Sequence, residues 1–594
     1  MVKKFKEVFG KTEAVIREYP MVLTMAFIGA VSMMFYVNND FVNREYLFFY
    51  LKFSLVASLG ISLMFALKML AQRIGKEVFL QLLGIIFLVL FYFLLPSSEK
   101  QFTEVYAYLL IPTFLLSHLF VSFIPFIGEN KEQNFWQYNK NLFINFFLTI
   151  IFTGILTGGM MLAILAVDKL FDFNFNGRYY SYTFIFLSIF GSCLIFLLFN
   201  EKGLSYLEKN SEYPVILKFF TQYILIPLLL IYAVILYFYS AKILINWELP
   251  RGWVSYLILA YSVVGILALL LVHPLKENST KSWVKIFSKI FYYTLAPLII
   301  LLFVAIFTRI LEYGYTEPRY FVLILAIWLT TVVLYFIFIR KQSIKFVPIT
   351  LFIFGLFSLA LPYLNTFSVA KRSQKNELMK LVSQKNILEN GKIKFNKEIS
   401  SAVADDIANK FNFLAKRNET DFLSNLLPAD VKKRFNKDLA SNETYKFASI
   451  RDEFKSVTEV NEANNRNYRS VRISSKAFSA DISKYRQLYK VDYNHNTSFT
   501  FENNLFQLDA PGTILKSEFN LALNGERINL LPELKQLFDN APKDGEQLVD
   551  ELFITKVIGK YEIKMMFDSV LRNTAPNKSE EYIVNSESII LLIK

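Results

Sequence analysis

From Pro20 to Tyr363 the chain is a succession of apolar runs of roughly 18 to 25 residues, each able to cross about 30 Å of hydrocarbon as a helix. Only short charged gaps separate them. Hydrocarbon offers the backbone no hydrogen-bond partner, so segments of this kind must close their bonds internally, which restricts them to a bundle of spanning helices. The spans are predicted near 20–37, 46–70, 77–95, 105–126, 142–167, 180–199, 215–240, 253–273, 286–311, 319–339 and 344–363, eleven in all. They explain why 54% of the 594 residues are hydrophobic and 17% aromatic, too apolar for an average soluble enzyme. Lys3, Lys4 and Lys6 precede the first run as they would a secretory signal, but it is long and lacks a small-residue cleavage site, so it reads as a retained helix.

Basic residues resist translocation, and their distribution among short loops predicts orientation. With residues 1–19 in the cytoplasm, the inner segments hold nineteen Lys and Arg and the outer ones eight. Lys371, Arg372, Lys375 and Lys380, just after the last run, narrow this to nineteen against twelve. An odd number of crossings then sends the C-terminal part to the outer side of the membrane. Of the net charge of +14, residues from 370 onward supply +4, with 35 Lys and Arg against 31 acids. The remaining +10 is the positive-inside bias of the membrane part and not a nucleic-acid surface. The single cysteine, Cys193, falls inside a predicted span and excludes an intrachain disulfide.

The expected organisation is a basic N-terminus over 1–19, a transmembrane helical domain over 20–367, a basic juxtamembrane linker or helix over 368–397, and a soluble α+β domain over 398–594. In the last, 399–416 is predicted helical, with Ala402, Ile407, Phe411 and Leu414 on one apolar stripe. "YRSVRI", "TSFTF" and "SIILLIK" read as strands. "FNLALNGERINL" reads as a hairpin turning at Asn524-Gly525, and "FITKVIGKYEIKMMF" as another turning at Gly559-Lys560. The fold class is therefore mainly α, a polytopic bundle followed by a soluble α+β domain.

Two helical hairpins resemble each other. Lys218, Tyr223, Leu225, Pro227 and Leu228 recur as Lys289, Tyr293, Leu295, Pro297 and Leu298, and Glu248, Pro250 and Arg251 recur as Glu317, Pro318 and Arg319. Parallel repeats of this kind occur in transporter folds. Pro227 and Pro297 fall mid-span, where a missing donor kinks a helix and can open a cavity or only shape packing. Lys218, Lys289, Arg251 and Arg319 fall at span edges, either as cations flanking a cleft for an anionic headgroup or as snorkelling anchors with local Glu-Arg pairs. In the fifth span Gly154 and Gly158 have the spacing of close helix approach.

Catalytic and metal signatures are missing. His118, His273 and His495 are the only histidines, and no His-Glu-x-x-His, Cys-x-x-Cys, Gly-x-x-x-x-Gly-Lys or Gly-x-Ser-x-Gly occurs. Glu104, Asp168, Glu201 and Glu312 all lie near span ends, which argues against a carboxylate relay. His118, within a span, is either a structural or a cavity-lining histidine. No cofactor, metal or catalytic residue is expected. The basic stretch from Lys371 to Lys397 could hold the downstream domain against anionic lipid or serve as a plain linker.

The span layout, the stretches Phe135–Phe171, Phe199–Leu244 and Glu248–Glu277, and the tail string "NILENGKIKF" together resemble the bacterial polytopic membrane proteins grouped as domain of unknown function family 4153, in a Bacteroidetes-like member. The resemblance implies the architecture and carries no activity or site residue. Two functions fit: a transporter-like or lipid- and envelope-handling membrane protein, with a cavity expected near Pro227 and Pro297, or a non-catalytic envelope sensor or scaffold whose soluble domain binds a partner. Expected partners are the bilayer, anionic lipid or envelope proteins.

Overall fold

The computed structural model describes residues 2–38, 44–129, 131–173, 175–209, 213–246, 253–274, 282–440, 448–454, 457–458, 469–476, 482–492, 497–508, 514–515, 519–539, 541, 545–574, 581–584 and 588–594. The chain divides into two compact units, Met1–Thr458 and Glu459–Lys594.

In the first unit an N-terminal helix α1 (Val2–Glu18) precedes α2 (Pro20–Val37), α3 (Arg44–Ile74), α4 (Glu77–Leu94), α5 (Ala107–Phe123) and α6 (Glu132–Phe171). There follow α7 (Gly177–Phe199), α8 (Val215–Ile243), α9 (Trp253–Val272), α10 (Ser282–Tyr313), α11 (Glu317–Phe338) and α12 (Phe346–Ala360). Among the described residues ten helices are long and apolar enough to cross a membrane, and α12, at 15 residues, is shorter.

Hydrogen bonds between helix ends sort the termini into two groups. In one, the Tyr19 hydroxyl donates to the Asn200 carbonyl at 2.8 Å, Arg73 reaches Glu208 at 2.7 Å and the Pro125 carbonyl at 3.2 Å, and Ser343 reaches Glu132 at 2.7 Å. In the other, Gln374 reaches the carbonyls of Tyr313 and Tyr315 at 2.9 and 3.0 Å, and Lys416 reaches Glu104 at 2.9 Å. The short α12 joins both. Lys345, before it, donates to the Glu129 carbonyl, and Leu364, after it, accepts from the Tyr320 hydroxyl. It is thus an eleventh crossing of the bundle despite its length.

Close helix approach occurs at glycines other than those expected. A Cβ on Gly265 would lie 2.2 Å from the Phe291 ring, and one on Gly355 would lie 2.6 Å from Leu116. At Gly154 and Gly158 it would meet nothing within 4 Å, because this stretch of α6 has no helix packed on that face among the described residues.

Beyond the last apolar helix the unit continues in α13 (Thr366–Gln384), α14 (Ser401–Ala415), α15 (Thr420–Leu426) and α16 (Ala429–Ala440). The Asn365 side chain caps α13 by accepting from the Ser368 N–H. The buried stripe of α14 runs through Ala404, Ile407, Phe411 and Leu414, while Ala402 is exposed. Spacings of three and four keep one helical face, and Ala402, five before Ile407, falls off it. Two of the basic side chains after the membrane are drawn inward: Lys371 and Lys375 converge on Glu419 at 3.1 and 2.5 Å. Burial pushes the Glu419 carboxyl up, but the hydrogen bonds from Lys375 and Lys371 more than offset this and hold it below the ordinary carboxylate value.

The second unit is built on three sheets. One orders strands 526–529, 520–523, 504–508 and 497–501; a second orders 545–549, 469–475, 569–574, 581–584 and 514–515; a third orders 553–558, 561–566, 588–593 and 487–492. Pairing is antiparallel except between 545–549 and 469–475. The two expected hairpins are present: Leu523 pairs with Glu526 across Asn524-Gly525, and Ile558 with Tyr561 across Gly559-Lys560. Asn524 and Gly525 both have positive φ, 50° and 93°, as a two-residue turn of this hand requires. Phe506, Phe519, Phe538 and Phe567 fill the core of this unit.

Candidate functional site

The N-terminal half of α6 carries both interhelix bonds near one end of the bundle and part of the wall of a cavity. Asn139 donates to the Ser122 carbonyl at 3.0 Å, the Tyr138 hydroxyl to the Val121 carbonyl at 3.0 Å, and the Trp136 indole to the Leu270 carbonyl at 2.8 Å. These fix α6 to α5 and α9 near its start. Above them the cavity begins, about 940 Å³ in volume, at the upper end of what ligand sites enclose. Residues of α2, α3, α5, α6, α7, α9 and α12 contribute to its wall.

The wall is mainly apolar with a few placed polar groups. Lys140 is 4% exposed, and its Nζ donates to Gln137 Oε1 at 2.8 Å. The Ser62 and Ser117 hydroxyls pair at 2.8 Å. Thr149 bonds back to the Asn145 carbonyl at 2.7 Å, as helical threonines do, whereas the Thr153 hydroxyl, one turn on, has no hydrogen-bond partner. A π-turn at Leu187–Gly191 brings Ser188 and Ile189 to the wall; wide turns of this kind occur frequently at functional sites. Cys193, one turn further, also lines the cavity.

The cavity opens sideways. Phe143, Phe146 and Ile150 of α6 line it and are nonetheless 45%, 55% and 54% exposed, as are other apolar residues further along this helix. The mouth therefore lies on the apolar flank of the bundle rather than at its polar loops.

His118 stands on this wall, with Nδ1 2.8 Å from the Phe114 carbonyl oxygen, so it is both hydrogen-bonded and cavity-lining. The other candidates are elsewhere. Leu225, Ile226, Leu229, Leu295 and Leu298, which flank Pro227 and Pro297, belong to a packed core formed by α8, α9, α10 and α11. Neither proline is on the cavity wall described above. The two are accommodated differently: a π-turn at Phe220–Leu225 ends two residues before Pro227, while α10 continues through Pro297. Lys218 and Lys289 are exposed on their helices. Arg251 lies outside the described residues, and so does His495.

Arg319 does not pair with the neighbouring Glu317. It donates to the carbonyls of Tyr313 and Gly314 at 3.2 and 2.7 Å, satisfying the end of α10. Glu317, fully buried, is held instead by Arg417, two residues past the end of α14, through two bonds of 2.6 Å, with the guanidinium stacked 3.3 Å from the centre of the Phe413 ring. Nothing in the local sequence signals a partner one hundred residues away. Lys140 and the lateral mouth were equally hidden, since a lysine just before a span reads as a loop charge.

Among known proteins, an uncharacterized protein of Pasteurella multocida (strain Pm70) is 26% identical over 382 residues, which is 63% of this chain. The match spans 61% of the length of that curated relative. No solved structure matches. Residues 23–384, all eleven crossings but the start of the first and the helix after them, match the family described as Domain of unknown function (DUF4153). With more than half of its length so matched, the chain belongs to that family.

Proposed function

We propose that this chain is a transporter-like or lipid-handling protein of the bacterial inner membrane, one that admits an apolar or amphipathic molecule from the bilayer into the cavity beside α6. Its N-terminus is cytoplasmic and α13 to α16 are periplasmic in this reading. The observation that carries it is the laterally open 940 Å³ cavity, whose mouth lies among exposed phenylalanines where only hydrocarbon would reach it. The test is mass-spectrometric counting of lipid retained by the purified full-length protein, against the filled variant Thr153→Trp. Retention falls several-fold in the variant at unchanged melting temperature; equal retention removes the reading. A partner-binding sensor or scaffold is the second reading, favoured by the separate compact unit with its own core over 459–594.

A further inference from the structure

The side-chain N–H groups on the cavity wall are already committed to the protein. The Trp136 indole donates to the Leu270 carbonyl, and the two amide hydrogens of Asn139 go to the Ser122 and Phe135 carbonyls at 3.0 and 2.9 Å. Lys140 is nearly buried and has Gln137 among its partners. His118 Nδ1 lies 2.8 Å from the Phe114 carbonyl oxygen, which can only accept, so this nitrogen holds a proton. In the neutral ring Nε2 is then a lone-pair acceptor, and nothing among the described residues donates to it. Asn139, oriented by its two carbonyl partners, likewise keeps Oδ1 as an acceptor without a donor among the described residues.

These acceptors belong to one neighbourhood. Ser122 stands one turn beyond His118 on α5, about 6 Å away, and its carbonyl holds Asn139. All three line the cavity, His118 exposed and the other two half-buried. We infer that the cavity binds an uncharged lipid whose head is a free hydroxyl, donating to His118 Nε2 beside Ser122 and Asn139, with its chains toward the lateral mouth at Phe143, Phe146 and Ile150. This rests on the carrier reading and adds the class of ligand. An acceptor in an apolar wall is satisfied by a ligand that brings a hydrogen. An anionic head brings only more acceptors to a wall whose N–H groups are spent, and a cationic head meets no Asp or Glu among the described residues there. The serine hydroxyls can donate or accept, which suits an alcohol, and an alcohol costs far less to desolvate than a charge.

Diacylglycerols and polyprenols share this chemistry, and the test separates them. Delipidated full-length protein in neutral detergent is titrated with dioleoylglycerol, with the polyprenol solanesol, and with the methyl ether of each, which keeps the chains and loses the donor. Dioleoylphosphatidylethanolamine and dioleoylphosphatidic acid serve as charged competitors. Lipid retained through gel filtration is counted by mass spectrometry.

The expected result is retention of at least one alcohol at concentrations about tenfold below its methyl ether, the scale of one hydrogen bond left unmade in a buried site. Retention of dioleoylglycerol alone or solanesol alone upholds the assignment and names the source of the hydroxyl. His118→Phe, which keeps a ring and loses the acceptor, removes the preference for alcohol over ether, and His118→Gln, whose side-chain oxygen accepts, retains part of it. Survival of the full preference in His118→Phe overturns the role given to His118. The comparison of alcohol with ether needs only the unaltered protein, so a poorly folded variant does not decide it. Equal retention of alcohol and ether, or a charged lipid retained in preference to both alcohols, overturns the hydroxyl assignment and leaves the carrier reading standing. No retention of any lipid overturns both.

Discussion

At the scale of single residues the contact with the most at stake is Glu317 with Arg417. The pair is almost wholly removed from solvent, the carboxylate entirely and the guanidinium to 5%, and it joins the first turn of α11 to the end of α14. Two charges so placed hold each other against a desolvation cost comparable with their attraction, so the pair adds little net stability although each member depends strongly on the other. Glu317→Gln or Arg417→Met alone should therefore destabilise by about 3–5 kcal/mol, because each leaves a buried charge without its partner. The double variant Glu317→Gln with Arg417→Met should recover most of that loss. Thermal melting of the four proteins in one detergent measures the coupling; additive losses would show that the two side chains do not meet. The sequence concealed this contact because Arg319 offered Glu317 a nearer partner, and geometry assigned that arginine to backbone carbonyls at the end of α10.

At the scale of helices, the apolar periodicity made the elements legible and left their packing open. Run length places a helix within the bilayer, but a residue's neighbour across the bundle is set by which faces meet, and an all-round apolar helix carries no stripe to announce its face. This is why Gly154 and Gly158 looked like a packing motif and Gly265 did not. The fully buried Phe291 ring occupies the space where a Gly265 Cβ would stand, 2.2 Å away, whereas Gly154 faces open space. Gly265→Ala should cost about 1–3 kcal/mol through overpacking, read as a lower melting temperature, while Gly154→Ala leaves that temperature unchanged or raises it. Equal melting of Gly265→Ala and wild type would mean that α9 and α10 do not approach as closely as this. The same logic explains the prolines: their sequence context matched, but one follows a π-turn and the other sits within a continuous helix, and the packed side chains around both leave the cavity to a different group of helices. Strands behaved differently. Asn524-Gly525 fixes its hairpin through local backbone preference, so no distant partner is needed to read it.

At the scale of the whole molecule, the geography rests on parity. The helix ends fall into two groups, one holding Tyr19, Arg73, Glu208 and Ser343, the other holding Glu104, Tyr313, Gln374 and Arg417, and eleven crossings connect them in alternation. A short final helix could have been counted out on length, which would have returned α13 to the side of the N-terminus; its bonds to Glu129 on one side and Tyr320 on the other keep it in. Basic residues gather at the first group, and in the proposed reading the positive-inside bias makes that group the cytoplasmic one. Lys76 lies between α3 and α4 in the first group and Asn418 just after α14 in the second, and both are exposed. In a Cys193→Ser background, Asn418→Cys should therefore react with a membrane-impermeant maleimide in cells whose outer membrane is permeabilised, and Lys76→Cys only once the inner membrane is opened as well. The reverse order would invert the assignment while preserving the parity. Labelling of both positions under the same condition would place the two groups on one side, which eleven crossings cannot do.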